Sequence, residues 1–211
     1  VCTHTHPDHS PAARAVAEAT GAEVIGALPP DDMHQDTTFS PTVHLVHDHV
    51  LSTEEFTLRA VHTPGHVGNH YCFFLEEEGM MFAGDHIMNG STVVIIPPSG
   101  DMKAYIDSLK LLLDYPLQSI APGHGELIME PADEVDWLVE HRLMRERKVI
   151  DGLRQTGRVA PESLVKVVYD DVDTSLHKMA ILSLSAHLIK LEQENCVTRH
   201  SEDDTWQLID A

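Results

Sequence analysis

The residues best suited to chemistry lie at the start of the sequence. Thr3-His4-Thr5-His6-Pro7-Asp8-His9 gathers three imidazoles and a carboxylate within six positions. At a strand end, side chains two apart point the same way, so His4 and His6 can grip one cation. Asp8 and His9, around the following turn, can hold a second. One histidine in a polar surface loop needs no ion, but four ligand-type residues at this spacing point to one. Three further motifs follow in order. Thr63-Pro64-Gly65-His66 ends a strand-like stretch, and its Pro-Gly turn would present His66 rigidly. Gly84-Asp85 follows a short apolar strand, which displays a carboxylate at its terminus. Pro122-Gly123-His124-Gly125 repeats the arrangement after 119–121. Each motif alone is weak, because a glycine beside a histidine or aspartate in a turn needs no metal. Together, in a chain with 16 histidines among 211 residues, they make a metal site the leading expectation.

The elements that must position these residues change character along the chain. Before about Pro131, short segments alternate. A helix is expected over 11–20, closed by Gly21, then a strand over 23–27 stopped by Pro29-Pro30. Strands follow at 56–62, 71–75 and 80–83, and a helix at 102–113 with Asp101 as N-cap and Pro116 as the stop. This alternation reads as α/β. After Pro131 the pattern is nearly all helical. Val135, Leu138, Val139, Leu143, Ile150 and Leu153 share one face of a long helix that Gly157 ends. Shorter helices over 162–169 and 177–194 precede a hairpin of 196–200 and 205–209, the outline of a winged helix. The expected division is 1–140 for the catalytic part and 141–211 for the helical part.

Charge narrows the function. The formal net charge is −20, with 14 basic and 34 acidic side chains. Residues 1–140 hold 4 basic and 22 acidic residues, net −18. A field of that sign argues against polyanion binding. No apolar run is long enough to cross a membrane. Three scattered cysteines, Cys2, Cys72 and Cys196, make no disulfide framework, which suggests a reducing, cytoplasmic setting. The first residue is not Met, and the sequence opens directly within its richest motif, so the chain is expected to be a fragment or to need an upstream part.

The complete HxHxDH signature at His4, His6, Asp8 and His9, with His66, Asp85 and His124 downstream, resembles the metallo-β-lactamase superfamily. The resemblance implies an αββα sandwich, here lacking its first strands, and two zinc ions per chain. It implies His4, His6 and His66 on the first ion, Asp8, His9 and His124 on the second, and Asp85 bridging both. Iron or manganese would suit the same nitrogen and oxygen donors. A bridging hydroxide would be the nucleophile, with Asp8 orienting it. The helical tail, with Leu176-His177-Lys178-Met179 and Leu191-Glu192-Gln193-Glu194-Asn195 at the ends of its main helix, resembles the lactamase-like subfamily with a C-terminal winged helix. His9 and Asp85 stand where the commonest zinc β-lactamases carry Arg and Cys, which argues against penicillin hydrolysis. Intervals of 57, 19 and 39 residues between His9, His66, Asp85 and His124 leave no room for an inserted nuclease domain.

Other polar residues admit two readings. His70 is a proton donor to the leaving group, or a histidine behind the ligands. His86 lines the site or faces solvent. His44, His47 and His49 form an exposed strand or loop edge, and His62 is structural or a partner of the ligands. Arg142, Arg145, Arg147 and Lys148 read as a solvated helix face. The acidic Glu202-Asp203-Asp204 wing argues for a packing or dimerisation role of the tail rather than DNA binding. The expected activity is hydrolysis of a small ester, thioester or lactone. The alternatives are an endoribonuclease acting on single-stranded RNA, opposed by the −18 charge, and an inactive or regulatory winged-helix module, opposed by the intact ligand set.

Overall fold

A computed structural model describes residues 1–32 and 34–209. Its elements run α1 (Ala12–Thr20), β1 (Ile25–Gly26), β2 (Val43–His44), β3 (Val50–Ser52), β4 (Thr57–His62), β5 (Tyr71–Leu75) and β6 (Met80–Gly84), then α2 (Met102–Leu112), β7 (Ser119–Pro122) and α3 (Pro131–Thr156). The tail is α4 (Pro161–Val168), a 3-10 turn (Thr174–Leu176), α5 (His177–Gln193) and the hairpin β8 (Val197–His200) and β9 (Thr205–Leu208).

The central sheet has the order β3-β4-β5-β6-β7, antiparallel except for the parallel β6–β7 pair that α2 connects. Alternation along β4 and β5 sends neighbouring side chains to opposite faces. Val61, Cys72, Phe74 and Met81 join Tyr105, Ile106 and Leu109 of α2 and Val135 and Leu138 of α3 in the main core. On the other face Ala60, Tyr71 and Phe73 pack with Leu45, Ile25 and Ala27, around the small parallel pair β1–β2. Of the αββα sandwich that the resemblance implies, the five-stranded sheet with its helices and a two-stranded second sheet, β1–β2, are present. The α2 N-terminus is capped as its sequence predicts: the Asp101 carboxylate accepts from Ala104 N at 2.8 Å. Helix α1 lies on the surface with none of its residues buried, and Val16 is 54% exposed.

Strands β2 and β3 are not marked by their own sequence. Both are very short and owe their form to partners: Ile25 for Val43, and Arg59 and Leu58 for Val50 and Leu51. Among the described residues no helix is long and apolar enough to cross a membrane.

Helix α3, 26 residues and about 39 Å long, belongs to two cores. Val135 and Leu138 enter the main core, while Val149 and Leu153 enter a second core with Leu164, Val168, Leu184, Leu188 and Trp206 of the tail. A division between residues 140 and 141 falls inside this helix. The expectation of a solvated basic face on α3 is corrected for two of its four residues. Arg142 and Arg145 are only 4% and 6% exposed. Arg142 Nη2 donates to Val93 O at 2.6 Å, and its guanidinium lies 5.2 Å from the Tyr105 ring centre. Arg145 donates to Val168 O and Asp171, and lies 4.4 Å from the Tyr169 ring centre. Pro131, Val135, Leu138, Arg142, Arg145, Val149 and Gly152 are all buried and recur at alternating intervals of four and three, so both arginines occupy the inward stripe. Their long stems pack like apolar side chains while the heads reach carbonyls and rings.

The tail is a winged helix whose acidic tip is partly neutralised from within. Asp203 pairs with Arg158 at 2.8 Å and Asp204 with Arg199 at 2.6 Å.

Candidate metal centre

The seven expected ligands come from four loops at one end of the sheet. The segment 1–5 is tied to both sheets: Cys2 N donates to Ile25 O and Tyr71 N to Thr3 O. This places His4 and His6 at the sheet's end, and a turn in which His9 N donates to His6 O brings round Asp8 and His9. His66 follows β4, Asp85 follows β6, and His124 follows β7. Two glycines are required by close approach. A Cβ on Gly65, which has φ +144°, would lie 2.3 Å from the Tyr105 Cα. One on Gly123 would lie 2.7 Å from the Asp85 carboxylate.

Ring nitrogens and carboxylate oxygens converge in three overlapping groups, each within 4.8 Å: His4, His6 and His66; His4, His9 and Asp85; Asp8, His9 and His124. His6 Nδ1 is 3.0 Å from both His4 Nε2 and His66 Nε2. His66 Nδ1 is 3.0 Å from Val94 O; donating its proton there leaves the Nε2 lone pair toward the cluster. Asp85 reaches both sides: one oxygen is 3.2 Å from His9 Nε2 and 3.5 Å from His124 Nε2, the other 3.9 Å from His66 Nε2. Asp8 Oδ2 lies 3.2 Å from His124 Nε2.

Electrostatics favours neutral imidazoles at His4, His6 and His66. Burial, then the neighbouring rings of His9, His6 and His66, lower the His4 pKa to about 2. Burial and then His66 lower His6 to about 4, and burial lowers His66. For His9, burial is the largest influence, yet Asp85 and Asp8 together outweigh it and raise the pKa. For Asp85, burial opposes ionisation and the surrounding imidazoles overcome it, His9 first, lowering the pKa. Buried His9 Nε2 and Asp85 Oδ1 have no aligned hydrogen-bond partner, although they lie close together. Neutral imidazoles with crowded lone pairs and an unsatisfied carboxylate oxygen suit divalent metal.

His70, expected among catalytic residues, is fully buried. Its Nδ1 is 2.8 Å from Thr63 Oγ1, and its ring centre is 5.1 Å from that of His4. Burial pushes its pKa well down. From behind His4 it does not line the cavity, which corrects the proton-donor reading; a donor must reach the leaving group. His86 is neither at the site mouth nor in solvent: it is buried with its ring 5.0 Å from that of Tyr105. His62 Nε2 is 2.9 Å from Gly68 O, a structural contact.

A cavity of about 310 Å³ opens over the cluster. Its lining combines the ligand residues His6, Asp8, His66 and Asp85 with Asp32, His34, Ile96 and Ser99. No sequence motif singles out the second group residue by residue. Its bracing runs through Thr5, which lies between His4 and His6 in the sequence. Thr5 Oγ1 donates to Gln35 Oε1 and accepts from Asn69 Nδ2, a contact across 64 positions.

Comparison with known proteins agrees with this architecture. The family model of the metallo-β-lactamase superfamily matches residues 1–124, and that of the β-lactamase associated winged helix domain matches residues 160–206. The chain belongs to the metallo-β-lactamase superfamily, a hydrolase fold here joined to its associated winged helix. A protein of Drosophila melanogaster named Beta-lactamase-like protein 2 homolog is 31% identical over 201 residues, covering 91% of this chain and 67% of the relative. An atrochrysone carboxyl ACP thioesterase of Aspergillus chevalieri is 36% identical over 140 residues, covering 63% of this chain and 44% of the relative. The chain thus spans roughly half to two thirds of the length of these relatives. A solved metallo-β-lactamase family protein of Thermus thermophilus superposes with a TM-score of 0.80 at 21% identity, covering 98% of this chain and 78% of that one.

Proposed function

We propose that this chain is a binuclear metal-dependent hydrolase acting on a small carbonyl ester, foremost a thioester. The observation that carries the reading is Asp85, whose two oxygens face His66 on one side and His9 and His124 on the other. In this reading His4, His6 and His66 would hold one ion and Asp8, His9 and His124 the second, with Asp85 placed between them to serve either. Zinc is the ion proposed, with iron or manganese as substitutes. Bound there, two such ions would polarise a carbonyl oxygen and acidify a water.

The chain's own residues supply the rest. His66 is held in one tautomer by Val94 O, so its Nε2 is ready to ligate without rearrangement. Asp8, with its side chain 59% exposed at the cavity edge, accepts a hydrogen bond from the attacking water and orients it toward the carbonyl. The thioester preference is supported by the thioesterase names among the relatives. Single-stranded RNA as substrate is opposed by the −18 charge of residues 1–140.

Elemental analysis with paired assays tests the proposal. About two zinc atoms per chain are expected, with a fall for His66→Ala and Asp85→Ala that is matched by lost thioester hydrolysis. Folded protein that takes up no metal after zinc addition, or variants that keep both metal and activity, would overturn it.

A further inference from the structure

The cavity lining has two unlike parts. One is the ligand cluster. The other presents a carboxylate that the fold fixes in place: Gln35 Nε2 donates to both oxygens of Asp32, at 3.0 and 3.1 Å, and His34 N donates to Oδ1 at 3.0 Å. Gln35 is itself buried and tied through Thr5 to the turn that carries His4 and His6. Asp32 is therefore a braced charge with the Ser99 hydroxyl beside it, and its neighbours Ile96 and Ser99 bring no countercharge.

No lysine or arginine lines this cavity among its described residues. The few basic side chains of residues 1–140 are committed elsewhere. Arg14 pairs with Glu18, Arg59 with Glu76, and Lys103 with Asp107. Only Lys110, on α2, has no ion pair among the described residues. Nearby Arg142 is buried against Val93 and Tyr105. Ions held by the cluster would face Asp8 and Asp85, so the reacting end of a substrate meets a largely neutralised centre. Apart from the carboxylates of Asp8 and Asp85, Asp32 is the only acidic side chain lining the cavity among the described residues, with His34 beside it.

We infer that the site selects thioesters whose leaving group is uncharged or cationic and disfavours anionic ones, with Asp32 as the residue that sets this preference. The inference rests on the hydrolase reading and goes further by assigning the substrate's charge. A single charge lining a half-solvated cleft is worth about a tenfold preference, and salt weakens it.

The test uses three thioesters with one acyl group: S-butyrylthiocholine, S-butyryl-N-acetylcysteamine and butyryl-coenzyme A. The zinc-loaded protein is expected to give kcat/KM values falling in that order, with the cationic ester at least about tenfold above the coenzyme A ester at low salt. Raised salt should compress the range, and Asp32→Asn should cut the ratio of thiocholine to N-acetylcysteamine ester several-fold. A preference for the coenzyme A ester, or an unchanged ratio in Asp32→Asn, overturns the inference. If none of the three is hydrolysed, the thioesterase reading fails, and the charge preference is judged by binding. Calorimetry with the thioether analogues S-butylthiocholine and S-butyl-coenzyme A then decides it, with and without zinc. Tighter binding of the cationic analogue, weakened by Asp32→Asn, supports the inference; tighter binding of the anionic one, or no binding of either, overturns it.

Discussion

Arg142 and Arg145 place two guanidinium groups inside the protein, and their stability depends on the partners that meet them. Arg142→Ala leaves the Val93 carbonyl without its donor and the Tyr105 ring without its cation. The expected cost is about 2–4 kcal/mol, a fall in Tm of roughly 5–15 °C for a chain this long. Arg145→Ala strands Val168 O in the same way, but water shares the half-exposed Asp171 carboxylate, so the ion-pair part is discounted. Arg145→Lys should recover less than half of the loss, because a single ammonium cannot reach both the carbonyl and the carboxylate while stacking on Tyr169. Thermal melts of the three variants check this; shifts below about 2 °C in both alanine variants would contradict the packing described.

At the scale of elements, the turns that end β4, β6 and β7 fix the site. Gly65→Ala is expected to move the turn that carries His66, since a Cβ there collides with the backbone of α2 at Tyr105. Metal content should fall by about half or more, while the far-ultraviolet circular dichroism of the helical tail is kept. These turns were legible in the sequence because a glycine beside each ligand marks them, and β5 was legible as a run of Tyr, Cys, Phe, Phe and Leu. Strands β2 and β3 were not, since their short segments become strands only through pairing with β1 and β4. The buried arginines were misread because charge outweighed position, although the alternating four-three spacing from Pro131 to Gly152 already placed them inward. The lining around Asp32 and Gln35 was beyond reach in detail, because its form depends on Thr5, 30 positions away from Gln35.

At the scale of the whole molecule, the contact of α3 with α5 ties stability to pH. His187 is fully buried, with both ring nitrogens lacking an aligned partner; its Nδ1 is 3.6 Å from Glu146 Oε2, and Lys190 also pairs with Glu146. Burial, ahead of the charged neighbours, lowers its pKa from the ordinary 6.5. The unfolded chain then takes up a proton that the folded chain refuses, so stability is complete above about pH 6.5 and is lost as the pH falls. Glu146 has the same sign in a more acid window. Burial opposes its ionisation, but His187 and Lys190 outweigh it and hold its pKa below the ordinary 4.5. Replacing His187 by Phe should flatten the fall of Tm between about pH 6.5 and 5 relative to the unchanged protein. Parallel slopes in the two proteins would show that His187 is not the group responsible.

Helix α3 has one further consequence. Because one rod supplies side chains to both cores, neither can melt without exposing the other's half of it. Calorimetry should record a single endotherm whose van't Hoff and measured enthalpies agree. A protease probing the boundary near residue 140 meets a continuous helix rather than a hinge. The winged helix is thus a structural partner of the hydrolase core, and cutting the chain there would leave two incomplete pieces instead of two working parts.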